Sequence, residues 1–154
     1  MSSTTVDRSA EAKEPFRRII VGLDGSEQSR EILKTVSIFV KKFDSKVIAC
    51  NVSNVPTSVQ GNDKDGFAAT NDERNMVEAI RVILKEELGD DGDRAEVRIL
   101  HGDPAERICE YADYTDSDLI IVGSRGQGAL KRALLGSVSG AVAAKSKRTV
   151  LIIK

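Results

Sequence analysis

A four-residue apolar run, Leu119-Ile120-Ile121-Val122, opens directly into Gly123-Ser124-Arg125-Gly126, and nine residues further on the chain reaches Gly136-Ser137. The spacing is Gly, two residues, Gly, nine residues, Gly-Ser. A strand that gives way to glycines and then to a helix start is suited to holding an anion. Glycine lets the backbone come close, and the free N–H groups of a helix N-terminus carry partial positive charge. Phosphate is the anion this arrangement fits. A second group with site chemistry, Asp24-Gly25-Ser26, follows another apolar run, Ile19-Ile20-Val21. In open α/β sheets ligands bind outside the carboxyl ends of the strands, where strand order reverses. A reversal between these two strands brings both loops to one crevice.

The common nucleotide motifs are absent. There is no Gly-x4-Gly-Lys-Ser/Thr, and Gly126-Gln127-Gly128 begins a dinucleotide-type pattern that fails at Lys131 and follows the wrong strand. Catalysis is harder to assemble than binding. Phosphoryl transfer needs a positioned nucleophile, charge clamps and usually a metal ligand. His101, the one histidine, ends a strand away from the expected crevice, and with no Cys-x-x-Cys it supports neither a Ser-His-Asp set nor a metal centre. Cys50 and Cys109 sit in apolar periodic segments and read as reduced core thiols. Other residues keep two readings. Lys131 and Arg132 are phosphate contacts or a solvated helix face. Asp24 and Gly136 are site residues or plain turn residues, and Ser137 is a phosphate ligand or a helix cap, roles that are compatible.

The elements that position these residues follow from periodicity. The 154 residues carry 23 Lys+Arg against 24 Asp+Glu, a formal charge of -1 that leaves no basic footprint for nucleic acid or anionic membrane. No apolar run approaches a membrane span and the polar N-terminus has no signal-peptide core, so a cytoplasmic location is expected. Residues 1–15 read as a disordered tail and 16–154 as one domain. Arg18 to Leu23 forms a buried strand. Ser26 is the expected N-cap of a helix whose inward stripe is Ile32, Leu33, Val36, Phe39, Val40 and Phe43. Lys46 to Val52 is a second strand, and the long polar connection Ser53 to Thr70 has the length of a functional loop. A helix from Asn71-Asp72-Glu73 turns Val77, Ile80, Leu84 and Leu88 inward and ends in a turn over Gly89 to Gly92. Ala95 to Leu100 alternates and so forms a strand that is half-exposed or at a sheet edge. Asp103-Pro104-Ala105-Glu106 is a helix start with Asp as N-cap and Pro at the first position, leading to Ile108, Cys109 and Ala112 inside. Thr149 to Ile153 closes a fifth strand. Strands alternating with helices make a doubly wound α/β domain with a mostly parallel sheet.

Three segments in order, Ile19-Ile20-Val21-Gly22-Leu23-Asp24-Gly25-Ser26, Gly102-Asp103-Pro104-Ala105 and the glycine pattern from Gly123 to Ser137, resemble the universal stress protein family over Arg18 to Lys154. The resemblance implies a single-domain, Rossmann-like, five-stranded parallel sheet of order 3-2-1-4-5 that binds ATP. By position it puts Gly22, Asp24 and Val52 against adenine and Gly123 near the ribose. Gly126, Gly136 and Ser137 then hold the phosphates, joined by Ser139, with Arg125 meeting their charge. Gly22 departs from relatives that carry a bulkier residue such as proline, which loosens the adenine wall. The resemblance further implies ATP held as a signal or structural ligand with weak hydrolysis at most, Mg or Mn bridging the phosphates, and a homodimer through Thr149 to Lys154. A slow ATPase or phosphotransferase and a nucleotide-free dimerisation module are the alternatives; the protein partner and the stimulus are not readable.

Overall fold

Every strand of the sheet runs parallel to its neighbours, in the order β3-β2-β1-β4-β5. The structure is a computed structural model that describes residues 14–54, 70–125 and 135–154. Its elements in chain order are β1 (Arg18–Gly22), α1 (Glu27–Phe43), β2 (Lys46–Ser53), α2 (Asn71–Leu88), α3 (Asp90–Arg94), β3 (Glu96–His101), α4 (Pro104–Tyr114), β4 (Leu119–Gly123), α5 (Ser137–Lys145) and β5 (Thr149–Ile153). The tail and most of the Ser53–Thr70 connection lie outside the described residues, as do Gly126, Lys131 and Arg132.

The two-residue alternation of a strand divides the core into two layers. Ile19 and Val21 of β1 face a layer filled by Ile32, Leu33 and Val36 of α1 and by Ile80 and Leu84 of α2. Ile20 faces the opposite layer, where Ala105, Ile108 and Ala112 of α4 meet Val142 of α5. The unbroken apolar runs of β1 and β4 therefore follow from burial on both faces: Ile19, Ile20, Val21, Ile120 and Ile121 are fully buried. Each such side chain contributes about 1.5–3 kcal/mol by leaving water. β3 and β5 lie at the two edges, so of the two readings of the third strand the edge placement holds.

Some local expectations change. Phe39 packs against the core at its margin, and Phe39 and Phe43 both meet Phe16 edge-on, with ring centroids 5.4 and 5.3 Å from it. The Gly89–Gly92 turn closes into the short helix α3, because Gly89 takes a positive φ of 59° and restarts helical hydrogen bonding at once. The start of α2 carries a capping box beyond the sequence-based expectation: Thr70 Oγ1 accepts from Glu73 N–H, and the Glu73 carboxylate accepts from Thr70 N–H. Cys109 is half-buried rather than a core thiol, since the inward face of α4 belongs to Ile108 and Ala112.

Candidate functional site

Strand order reverses between β1 and β4, so the loops leaving these two strands meet at the carboxyl edge of the sheet. On the β1 side the backbone pairing continues past the strand: Leu23 N–H donates to Cys50 C=O at 2.9 Å, and Asn51 Nδ2 donates to Leu23 C=O at 2.8 Å. This holds Asp24 at the lip. Its Oδ1 accepts from Ser26 N–H at 2.9 Å and from Ser29 Oγ at 3.3 Å, closing a turn that Gly25 completes at φ 76°. Ser26 is the N-cap residue of α1, as expected, but its hydroxyl makes no capping bond. The Asp24 carboxyl instead accepts from the N–H of Ser26 itself and from the Ser29 hydroxyl, while Ser29 N–H donates to Ser26 C=O.

On the β4 side the two ends of the glycine stretch are tied together. Ser124, buried, donates its N–H to Ile153 C=O at 2.7 Å, and its own C=O accepts from Gly136 N–H at 2.6 Å. Gly136 is the N-cap of α5, with φ -64° and ψ 160°, a conformation open to any residue. What it needs is space: a Cβ there would lie 2.7 Å from Ser124 O. No side chain caps α5. The hydroxyl of Ser139 donates instead to Gly136 C=O at 3.1 Å. Ser137 is the first helical residue, exposed at the start of the helix, and not the cap. The first-turn N–H groups of α5 have no acceptor within their own helix.

Between these loops lies a cleft of about 840 Å³, within the range that holds a small organic ligand. Gly22, Asp24, Val52, Gly123, Arg125, Gly136, Ser137 and Ser139 all border it, so every described member of the sequence-derived set comes to one place. Gly126, the remaining member, lies outside the described residues. The walls are of two kinds. Near β1 and β2 they are Leu23 and Met76 from one layer of the core and Cys50, Val52, Ile108 and Val122 from the other. Near β4 and α5 they are backbone and small polar groups. Burial pushes the Cys50 thiol up to about 12, so it stays protonated and apolar in character. Gly22 shows why a small residue serves there: a Cβ would stand 3.2 Å from Val122 Cγ1 and 3.3 Å from Ile108 Cδ1, side chains that already occupy the space.

Gln28, Asn51 and Met76 also line the cleft, and sequence reasoning alone does not single them out. His101 does not line the cleft; its Nε2 meets Glu73 Oε1, and the bond holds the Glu73 carboxyl below its usual range. Among the described residues no group of three His, Cys, Asp or Glu side chains is placed to hold a metal ion.

The model for the universal stress protein family matches residues 15–154. Stress response protein NhaX of Bacillus subtilis is 30% identical over 89% of this chain and 97% of its own length. Among solved structures, a universal stress protein in complex with cAMP superposes with a TM-score of 0.61 at 26% identity, covering 91% of this chain and 98% of that one. The universal stress protein UspA from Lactobacillus plantarum gives a TM-score of 0.72 at 16% identity over 92% and 100% of the two chains, a likeness of fold.

Proposed function

Because this chain belongs to the universal stress protein family, we propose that it binds ATP in the cleft between β1 and β4 and acts as a nucleotide-dependent regulatory protein. The observation that carries the reading is the division of the cleft into two halves with different chemistry. The half walled by Leu23, Cys50, Val52 and Ile108 is apolar and bordered by Asp24, which suits a flat base with polar edges. The half made by Gly123, Gly136 and the uncapped start of α5 offers backbone N–H groups without a competing carboxylate, which suits phosphates. Support also comes from a relative solved with an adenine nucleotide, cAMP. In this reading Gly126 also binds phosphate, and Arg125, exposed at the rim, offsets phosphate charge.

A divalent ion, Mg or Mn, would be held by the phosphates themselves, since among the described residues that line the cleft Asp24 is the one carboxylate, and that side chain is engaged by Ser26 and Ser29. The ion would neutralise phosphate charge there. The same shortage of acid–base groups favours holding ATP over hydrolysing it. Purified protein tests both points: adenine nucleotide should appear in the supernatant after denaturation, and single-turnover hydrolysis should be slow and insensitive to Asp24→Ala. Turnover at ordinary enzyme rates would reverse the assignment to an enzyme.

We also propose a homodimer through β5. That strand is an edge strand whose Val150, Leu151, Ile152 and Ile153 are only half-buried, while the matching residues of β4 are more fully covered. An apolar strand with an open edge is stabilised by pairing with a second copy. Light scattering should give twice the chain mass. No helix among the described residues is long and apolar enough to cross a membrane, and with the balanced charge this fits a cytoplasmic protein.

A further inference from the structure

Gly123 has a backbone conformation that alanine also adopts, since its φ is not positive. Yet a Cβ on it would stand 2.4 Å from Gln28 Oε1 and 2.7 Å from Gln28 Cδ. The missing side chain leaves room for a carboxamide arriving from α1. That carboxamide makes two bonds to main chain. Oε1 accepts from Arg125 N–H at 3.1 Å, and Nε2 donates to Ile153 C=O at 3.4 Å. Ile153 C=O is the group that also receives Ser124 N–H, and Ser124 C=O receives Gly136 N–H. One side chain therefore joins the exit of β4, the end of β5 and, through Ser124, the N-cap of α5.

We propose that Gln28 is the positioning residue for the phosphate half of the cleft, and that Gly123 is a glycine to admit it. The inference rests on the nucleotide-binding reading above. Only a primary amide can make both bonds, because it offers an acceptor and a donor on one planar group. A carboxylate of the same shape would accept from Arg125 but turn its second oxygen against Ile153 C=O. Alanine would leave both main-chain groups without this partner. By bonding Arg125 N–H and Ile153 C=O, Gln28 fixes the exit of β4 and, through Ser124, the position of α5, whose first-turn residues Ser137, Val138 and Ser139 border the cleft. Such support for a binding loop acts on the phosphates and leaves the base side alone.

The test is a double-mutant cycle with Gln28→Ala, Gly123→Ala and the pair, titrated calorimetrically with ATP-Mg and with adenosine. A methyl at position 123 drives the Gln28 carboxamide from its place, so each single change removes the same two hydrogen bonds. Each should weaken ATP binding about three- to tenfold. The double variant should bind ATP within twofold of the weaker single one, and adenosine affinity should stay within twofold of wild type in Gln28→Ala. Without ligand, the Arg125 amide resonance should move in both single variants and stay near its original position in Gln28→Glu, which keeps the acceptor. Losses that multiply in the double variant, an equal loss for adenosine in Gln28→Ala, or an Arg125 resonance unmoved in that variant would each overturn the proposal. Should Gly123→Ala fail to fold, the Gln28 variants decide it alone. A wild-type protein that binds no ATP would sink the nucleotide reading, while the ligand-free spectra would still test the Gln28 link.

Discussion

Gly136→Ala puts a methyl group against backbone at the joint between the glycine stretch and α5. The new Cβ would meet Ser124 O at 2.7 Å, roughly 0.7 Å inside ordinary contact. Rotation cannot relieve this, because the obstacle is a carbonyl. Ser124 is held from its other side by the 2.7 Å bond to Ile153 C=O, so α5 is the partner that must move, stretching the 2.6 Å Gly136–Ser124 bond. The backbone angles of Gly136 suit alanine, so strain of conformation contributes nothing. Overpacking of this kind costs about 1–3 kcal/mol. For a domain of this size each kcal/mol lowers Tm by about 2–4 °C, so a loss of roughly 4–8 °C is expected for a 2 kcal/mol effect. Calorimetric unfolding without nucleotide reads it directly. Gly140→Ala, four residues on in the same helix, is the control: a Cβ there meets nothing within 4 Å. It should raise stability by about 0.5–1 kcal/mol, the helix-propensity gain. A Gly136→Ala protein within 1 °C of wild type, or one that falls no further than Gly140→Ala, would refute the reasoning.

Other outcomes follow from the same contacts. Cys50, buried and with its thiol pushed up to about 12, should resist alkylation at pH 8 in the folded protein and react fully in denaturant; mass spectrometry of tryptic peptides distinguishes it from half-buried Cys109. Glu73→Gln keeps the capping box at the start of α2 but removes the carboxylate that His101 holds below its usual range of about 4.5. A carboxyl whose folded pKa is depressed stabilises the fold above its unfolded value and loses that contribution as pH falls through the folded one. The stability difference between wild type and Glu73→Gln, of order 1 kcal/mol for one half-buried hydrogen-bonded pair, should therefore be full at pH 7 and shrink as pH falls toward 3. A difference constant over that span would contradict the assignment. Truncation after Arg148 removes β5 and with it the Ile153 carbonyl that anchors Ser124, so it should yield monomer or insoluble protein; a fully dimeric truncated form by light scattering would exclude pairing through this strand.

Much of the architecture is legible in the sequence because its signals are local. Ile19-Ile20-Val21 and Leu119-Ile120-Ile121-Val122 are apolar without alternation, which points to two-sided burial, and the alternation in β3 marks a half-exposed or edge strand. Asp103 and Pro104 announce α4 in two residues, and the structure keeps the Asp103 cap on Glu106 N–H. The strand order itself comes from family resemblance, since nothing in a strand's own sequence says which strand lies beside it. Asp24 and Gly123 stand out because they follow unbroken apolar strands at the end of the sheet where ligands bind, and Gly136 because it precedes a helix start at a fixed distance from the glycines after β4. Gln28 does not, because a glutamine in a helix is ordinary until a neighbour 95 positions away proves to lack a Cβ at the point where its amide rests. Ser26 is legible as the N-cap position of α1, but the absence of a capping bond from its hydroxyl and the bond of its own N–H to Asp24 are visible only in the structure.

The central claim is that the cleft holds ATP, and a calorimetric titration of the full-length protein with ATP and Mg²⁺ tests it most directly. Saturable binding at one site per chain is the expected result. At a hundredfold excess over the dissociation constant, that binding should stabilise the fold by about 2.7 kcal/mol, a rise in Tm of roughly 5–10 °C at the size scaling used above. No heat of binding and no change in Tm at millimolar ATP-Mg, in protein first freed of any bound nucleotide, would contradict it.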